Sequence, residues 1–408
     1  MTTKNEIREV VVKSGLWRSP QHELTHKFLL SPSVFEVSAS TAAKLDRLGQ
    51  SLYDCMAGIG RLAAIAWNPD LTHSPIWSMI SRVFTTGIPS IYHQILAEKP
   101  STTPYICKVD MLQGMDGRMW IAEIDGHNKH GLGYSSLAAQ IRALVAPQAA
   151  TFPGIAKLLA DFAGKVDSGT AQLILLYADQ ERFYLPEFTV LKNTLATLGV
   201  EMVIASETEL QADGSVVYLS GWPVTSRLFV DLPFLYHNQP LWQLLTRLYM
   251  EGEIQYLIPP KPLFGSKAVM ALLRNEEDSD ELEAILRSQI PIESLYFVRG
   301  HIPETYLVTK RHRRPRTNQE HWRRIARHKA FVLKETISSG MRGTLFSEDP
   351  QFEDELLRAS SSPNRYILQE EITNRPHGFD YFTDEGELRQ DQWFTRITVH
   401  FSQRKVAD

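Results

Sequence analysis

The sequence predicts an α+β protein with an α/β unit at its centre, and three patterns predict it. Apolar residues recur at helical spacing from about 38 to 96, two apolar runs flank a turn at 114 to 117, and short apolar runs alternate with an amphipathic segment from about 169 onward. With 408 residues the chain is long enough for two or three compact units. The patterns divide it into a mainly helical region over 1–150, an α/β domain over 151–250 and an α+β region over 251–408.

Each element has a local reason. The run AAKLDRLGQSLYDCMAGIGRLAAIAW has the period of an amphipathic helix, and a second such segment runs through Ile80, Ile88, Ile91 and Ile95. Pro100 and Pro104 break that pattern. The stretch YICKVDMLQGMDGRMWIAEID then reads as a β-hairpin, at about 104–126, around its Gly- and Asp-containing turn. Residues 133–146 are expected to be helical, with a boundary between Pro147 and Pro153. AQLILLYAD reads as a buried strand, PEFTVLKNTLATLG as a helix ending at Gly199, and VEMVIAS and SVVYLSG as two more strands, which implies some parallel pairing. The helix QPLWQLLTRLYMEG leads to a Pro-rich break, IPPKPLFGS. Strands are expected around 329–334, 366–371 and 393–401. No internal repeat or low-complexity segment is present.

Composition removes several classes of function. The 43% apolar and 22% charged content belongs to a folded globular protein, and a net charge of −4 gives no overall positive field for nucleic acid or an anionic membrane. Two cysteines, Cys55 and Cys107, exclude a disulfide framework and a Cys-rich metal site, and they read as core thiols in a reducing compartment. The opening MTTKNEIREVVVKSG has no apolar h-region, and no run approaches the length of a membrane span. A cytoplasmic location is the resulting expectation. No GxSxG elbow is present and neither Cys has a nearby His, so no nucleophilic triad or fused amidase is expected.

Three constellations carry chemistry. The hairpin puts Asp110 on one strand and Glu123 and Asp125 on the other, the last two spaced to share a face. Carboxylates beside the apolar run MWIA are costly unless paired or bound to a cation, and for hard oxygen ligands that cation is Mg²⁺; exposed edge carboxylates are the plain alternative. Next, KAFVLKETISSGMRGTLFSED ends a strand at Lys334 and enters a Ser/Gly-rich loop containing Ser339, Gly340, Arg342 and Gly343. Such a loop lets backbone amides approach a nucleotide phosphate, although it matches neither the Walker A nor the GxGxxG pattern and also reads as a flexible hairpin loop. Finally, YILQEEI ends a strand in Gln369, Glu370 and Glu371, which can meet an adenine edge and a ribose hydroxyl, while GSKAVMALL sets Lys267 at the start of a helix.

Together these pieces resemble the circularly permuted ATP-grasp enzymes, in particular the glutathionylspermidine synthetase-like branch. In that family a basic residue, an Asp and then Glu-x-Asn lie on a hairpin before the nucleotide-binding part, and here KVD and EID precede both lysines. The similarity spans roughly 100–135 and 255–400. It implies an ATP-grasp fold, with 151–250 as the substrate-side domain and 251–408 as the nucleotide-binding region. It also implies Mg²⁺ on Asp110, Glu123 and Asp125, with ATP phosphates on Lys267 and Lys334. Ser339, Gly340 and Gly343 would lie in a covering loop, and Gln369, Glu370 and Glu371 would form the adenine-side hinge. Lys108, in the place of the family's arginine, and Arg342 would be catalytic. Three departures stand out: Lys108 for arginine, Asp125 for asparagine, and SSGMRG for a GREG-like loop. The chain also stops soon after WFTRITVHF, where the resemblance implies a further strand and a closing segment with polar ligands.

The implied activity is that of an ATP-dependent carboxylate–amine ligase, forming an amide or peptide bond through an acyl phosphate. Its substrates would be a small-molecule or peptide carboxylate and an amine. No membrane partner is expected, and whether the chain forms a homo-oligomer is left open. Two other readings stand beside it: a degenerate ATP-grasp protein that binds nucleotide without turnover, and a binding protein that uses the basic stretch at 310–327. That stretch holds Lys310, Arg311, His312, Arg313, Arg314 and Arg316, followed by Trp322, Arg323, Arg324 and Arg327. A solvated face, a nucleic-acid site and a patch recruiting an acidic substrate or carrier protein are its three readings, with nucleic acid the less favoured. Arg227 and Asp231 either line the substrate cleft or form a buried ion pair.

Overall fold

The computed structural model describes residues 4–16, 30–71, 73–86, 88, 90–148, 154–166, 172–214, 216–233, 235, 237–276, 279–308, 315–338, 343–361, 365–383 and 385–403. The chain divides into two compact units, and each is assembled from separate stretches of sequence. One comprises Met1–Ser38, Asn128–Pro260 and Pro376–Phe394, and the other Ala39–His127, Lys261–Arg375 and Thr395–Asp408.

The second of these units is built around a long helix and two sheets. The helix Ala39–Ala66 buries Leu45, Leu48, Leu52, Cys55, Met56, Ile59, Leu62 and Ala63, a stripe at three- and four-residue spacing. It packs on the helices Pro75–Thr85, Ser90–Glu98 and Ile292–Arg299. Both cysteines are free and buried, and burial raises both thiols well above their usual range. Gly60 has a packing reason, since a Cβ there would run into the Pro100 carbonyl.

The hairpin strands are Ile106–Gln113 and Met119–Asp125. Gly117, at φ +77°, closes their turn. The first strand is central in its sheet, because Arg396–Ser402 pairs antiparallel along its other edge. The apolar face carries Val109 opposite Ile124 and Val399, and the polar face carries Lys108 and Asp110 opposite His400 and Thr398. A bulge shifts the hairpin register, so that Asp110 pairs with Glu123 but Met111 with Ile121. Ala122 therefore has no ladder partner on the first strand.

A four-stranded antiparallel sheet orders Thr305–Val308, Tyr366–Glu370, Phe331–Glu335 and Thr344–Phe346. Its core is Val308, Trp322, Phe331, Leu333, Phe352, Leu356 and Leu368. Trp322, wholly buried, thus anchors the helix Pro315–Ala326 that carries the second half of the basic stretch.

In the other unit a parallel sheet orders Glu201–Ser206, Gln172–Tyr177, Leu228–Phe229 and Gln255–Tyr256, with Leu185–Ala196 as the crossover helix of its first two strands. The predicted strand SVVYLSG corresponds to Val216–Leu219, which lies outside this sheet, in an antiparallel meander with Leu210–Asp213 and Trp222–Pro223. A second difference concerns 393–401, expected as one strand. The chain there belongs to two, Leu388–Phe394 and Arg396–Ser402, divided at Thr395. The first pairs with Pro376–Phe382 as an antiparallel hairpin. No helix among the described residues is long and apolar enough to cross a membrane.

Candidate active site

One face of the three-stranded sheet concentrates charge, and sheet geometry alone explains it. Paired residues project to the same side of a sheet, so the pairs Lys108 with Asp125 and Asp110 with Glu123 put all four side chains together. Lys108 Nζ lies 2.9 Å from Asp125 Oδ2, and His127 Nδ1 lies 3.0 Å from Asp125 Oδ1. Asp110 accepts a 2.8 Å hydrogen bond from Thr398 Oγ1. Burial by itself would raise Asp125, but the His127 hydrogen bond and the charges of His127 and Lys108 overcome it and hold the carboxyl far below its usual range. Burial, helped by the Lys108 cation, depresses His400 to about 4.

Two lysines distant in sequence reach this face. Lys267 precedes the helix Ala268–Arg274 and is fixed by its backbone N–H, which donates to the Thr336 carbonyl at 2.8 Å. Its side chain is 4% exposed, with Nζ 2.9 Å from Glu123 Oε1 and 3.1 Å from the Ser338 carbonyl. Lys334, on the strand Phe331–Glu335, donates to Gln369 Oε1 at 2.6 Å and to the Ala122 carbonyl at 3.1 Å. The acceptor on Ala122 is the residue that the bulge removes from the hairpin register. Burial pushes the Lys334 amine down to about 8, with the Lys267 charge adding to the effect and Glu123 opposing it. Gln369 in turn donates from Nε2 to Thr305 Oγ1 at 3.3 Å, which ties three strands of the four-stranded sheet together.

Gly343 lies at the start of Thr344–Phe346 with φ +66°, and its carbonyl accepts from the Glu335 N–H. Glu370 is 3.1 Å from Lys329, and the Glu371 N–H donates to the Ala330 carbonyl; burial, then Glu348, raises the Glu371 carboxyl. Ser339, Gly340 and Arg342 lie outside the described residues, as do Lys310, Arg311, His312, Arg313 and Arg314. In the basic stretch Arg323 is 3.5 Å from Glu353. The partner of Asp231 is not the exposed Arg227. It is Lys129, wholly buried, which donates to Asp231 Oδ2 at 3.3 Å and to Glu181 Oε1 at 2.9 Å.

The three carboxylates expected to share a metal each have a cation or donor of their own. Among the described residues, the trio whose ligand atoms lie within 4.8 Å of one another is instead Asp179, Glu207 and His237. Loop geometry accounts for it: the Glu207 carboxylate accepts the N–H groups of Asp179 and His237, and Asp179 pairs with Arg182 at 2.9 Å. Sequence reading missed His127, Thr398 and His400. For the last two a signal was present, because RITVHF alternates polar and apolar residues and so turns Thr398 and His400 to one face.

The chain superimposes on a glutathione synthetase-like effector from Globodera pallida, solved in apo form, with a TM-score of 0.53 and 12% identity over 97% of this chain and 92% of that one. The two share a fold. A putative gamma-glutamylcysteine synthetase from Methylobacillus flagellatus KT matches at TM-score 0.36 and 12% identity, over 81% of this chain and 80% of that one. The D-alanyl-alanine synthetase A of Vibrio cholerae matches at 0.32 and 11%, over 54% and 64%. Both likenesses are too loose to carry an argument. No protein-family description and no curated protein matches the sequence.

Proposed function

We propose that the protein is an ATP-dependent carboxylate–amine ligase of the circularly permuted ATP-grasp type. The observation that carries this reading is the meeting of the acidic hairpin with two lysines from far along the chain, Lys267 at Glu123 and Lys334 at Ala122. The fold shared with a glutathione synthetase-like effector supports it. So does the order of the motifs, with the acidic hairpin before both lysines.

In this reading Lys267 and Lys334 hold the ATP phosphates as point charges. Gln369, Glu370 and Glu371 face the adenine side. Asp110 and Glu123 are cross-strand partners with hard oxygen donors, a set that fits Mg²⁺, and they would hold it with Asp125 beside them. The metal would supply positive charge against the triphosphate. Lys108 orients the substrate carboxylate, whose oxygen attacks the γ-phosphorus; the bond to the bridging oxygen breaks, giving an acyl phosphate and ADP. The amine then attacks the acyl carbon and phosphate leaves, with one proton lost from nitrogen. Positioning and fixed charge carry most of such a reaction. Ser339, Gly340 and Gly343 would belong to a loop that keeps water from the acyl phosphate, with Arg342 as a catalytic residue.

A second reading, nucleotide binding without turnover, has one observation in its favour: Asp125 is already occupied by Lys108 and His127. One experiment separates the two. The protein is incubated with ATP, Mg²⁺ and a pool of amino acids and polyamines, and ADP release is followed alongside ATP binding. Amine-dependent ADP supports the ligase, ATP binding without it supports the second reading, and absence of ATP binding sinks both.

A further inference from the structure

At the turn end of the acidic hairpin, within the same compact unit, lies a cavity of about 880 Å³. That volume is in the usual small-molecule range of about 300–1,000 Å³. Its walls come from the start of the helix Ala39–Ala66, the turn between the hairpin strands, and the helix Ile292–Arg299. Met119, on its lining, is four residues from Glu123, or about 13 Å along a strand, so the cavity is separate from the site above.

Its chemistry is amphipathic. Leu45, Leu48 and Phe297 supply apolar wall, while Lys44, Arg47 and Arg118 supply three cations against one lining carboxylate, Asp116. Aromatic rings hold the two guanidinium groups in place: Arg47 lies 4.2 Å over the Phe297 ring and Arg118 lies 4.8 Å over the Trp120 ring. A guanidinium held by its face keeps N–H edges for an oxyanion, and the loss of side-chain entropy on binding is already met. Asp116 forms a loose ion pair with Arg118, 3.7 Å from its Nε and beyond a normal hydrogen bond. His301 is also on the lining: burial lowers its ring, the hydrogen bond with the Phe297 carbonyl opposes that, and the charges of Arg118 and Lys44 add to the lowering.

We propose that this cavity binds a small amphipathic organic anion, its charged head on Arg47 and Arg118 and its aromatic or acyl body against Leu45, Leu48 and Phe297. The probe is 8-anilino-1-naphthalenesulfonate, titrated by fluorescence into the intact protein. The expected result is one site per chain, weakened at least about tenfold by the double substitution Arg47→Glu/Arg118→Glu. Arg389→Glu, on an exposed strand elsewhere, and saturating ATP with Mg²⁺ leave it unchanged. Far-UV circular dichroism checks the fold. If the double charge reversal disturbs it, the single variants Arg47→Gln and Arg118→Gln ask the same question with the bulk preserved. No binding by the wild type, equal affinity in the charge variants, or displacement by ATP overturns the proposal.

Discussion

Glu123 and Lys267 are 144 residues apart in sequence, yet the Lys267 ammonium lies 2.9 Å from the Glu123 carboxylate, with Lys267 all but sealed from solvent. Such a lysine is held at nearly constant position by its anion and by the Ser338 carbonyl. Glu123→Gln keeps the shape and removes the charge. We expect it to lower Mg²⁺-dependent ADP release by about 10²–10³-fold, the scale of losing one fixed electrostatic contact in a reaction centre, with an unchanged circular dichroism spectrum. Wild-type turnover in Glu123→Gln would remove this residue from the metal set.

Lys334 predicts a pH dependence whose sign follows from its environment. The folded amine titrates near 8, below the 10.5 of the free side chain. ATP affinity should therefore fall as pH rises through about 8, and binding above that pH should take up a proton, measurable by calorimetry in buffers of different ionisation enthalpy. For stability, the unfolded chain holds the proton that the folded chain releases between 8 and 10.5, so this group's contribution improves with rising pH across that window and is lost as pH falls through 8. Lys334→Met should weaken ATP binding at least about tenfold, abolish this slope and cost about 1–3 kcal/mol at neutral pH, because it leaves the Gln369 and Ala122 oxygens without their donor.

Gly265 lies directly against the His127 ring. A Cβ on it would collide with the His127 ring, which holds Asp125 from the side opposite Lys108. Gly265→Ala should cost about 1–3 kcal/mol in urea unfolding, the range for overpacking a filled interior. His127→Ala/Gly265→Ala, with the ring gone, should recover most of that loss. Equal stability of the single and double variants would place the strain elsewhere.

In the other unit Lys129 is wholly buried between Glu181 and Asp231, over the Phe188 ring. Removing only the cation strands two carboxylates. Lys129→Met should destabilise by about 3–5 kcal/mol, while Lys129→Met with Asp231→Asn and Glu181→Gln should recover a large part. Denaturant midpoints at constant m-value check both.

The local parts of this molecule were legible. The helical stripe of Ala39–Ala66, the hairpin with its turn at Gly117 and the parallel pair Gln172–Tyr177 and Glu201–Ser206 each follow from periodicity or turn chemistry within a short window. What pairs over long distances was not. Nothing near Asp110 announces Thr398 as its donor, and nothing near Asp231 announces Lys129, because a side chain's neighbours across a sheet are set by topology and not by sequence spacing. The bulge at Ala122 is equally silent, since the apolar run MWIA reads straight into EID as one unbroken strand; yet it supplies the carbonyl that Lys334 uses. The division at Thr395 was hidden for a related reason, because two strands in succession have the same alternation as one long strand.

The pairing of Ile106–Gln113 with Arg396–Ser402 has a consequence for biosynthesis. The bond from Thr398 to Asp110 spans 288 positions. At translation rates of about 5–20 residues per second, the open edge of the earlier strand waits roughly 15–60 s for its partner to leave the ribosome. During that interval a nascent chain displays bare strand hydrogen-bonding groups to whatever is nearby. Yield in a cell should accordingly respond to holdase chaperones and to growth temperature more than the finished protein's own stability would suggest.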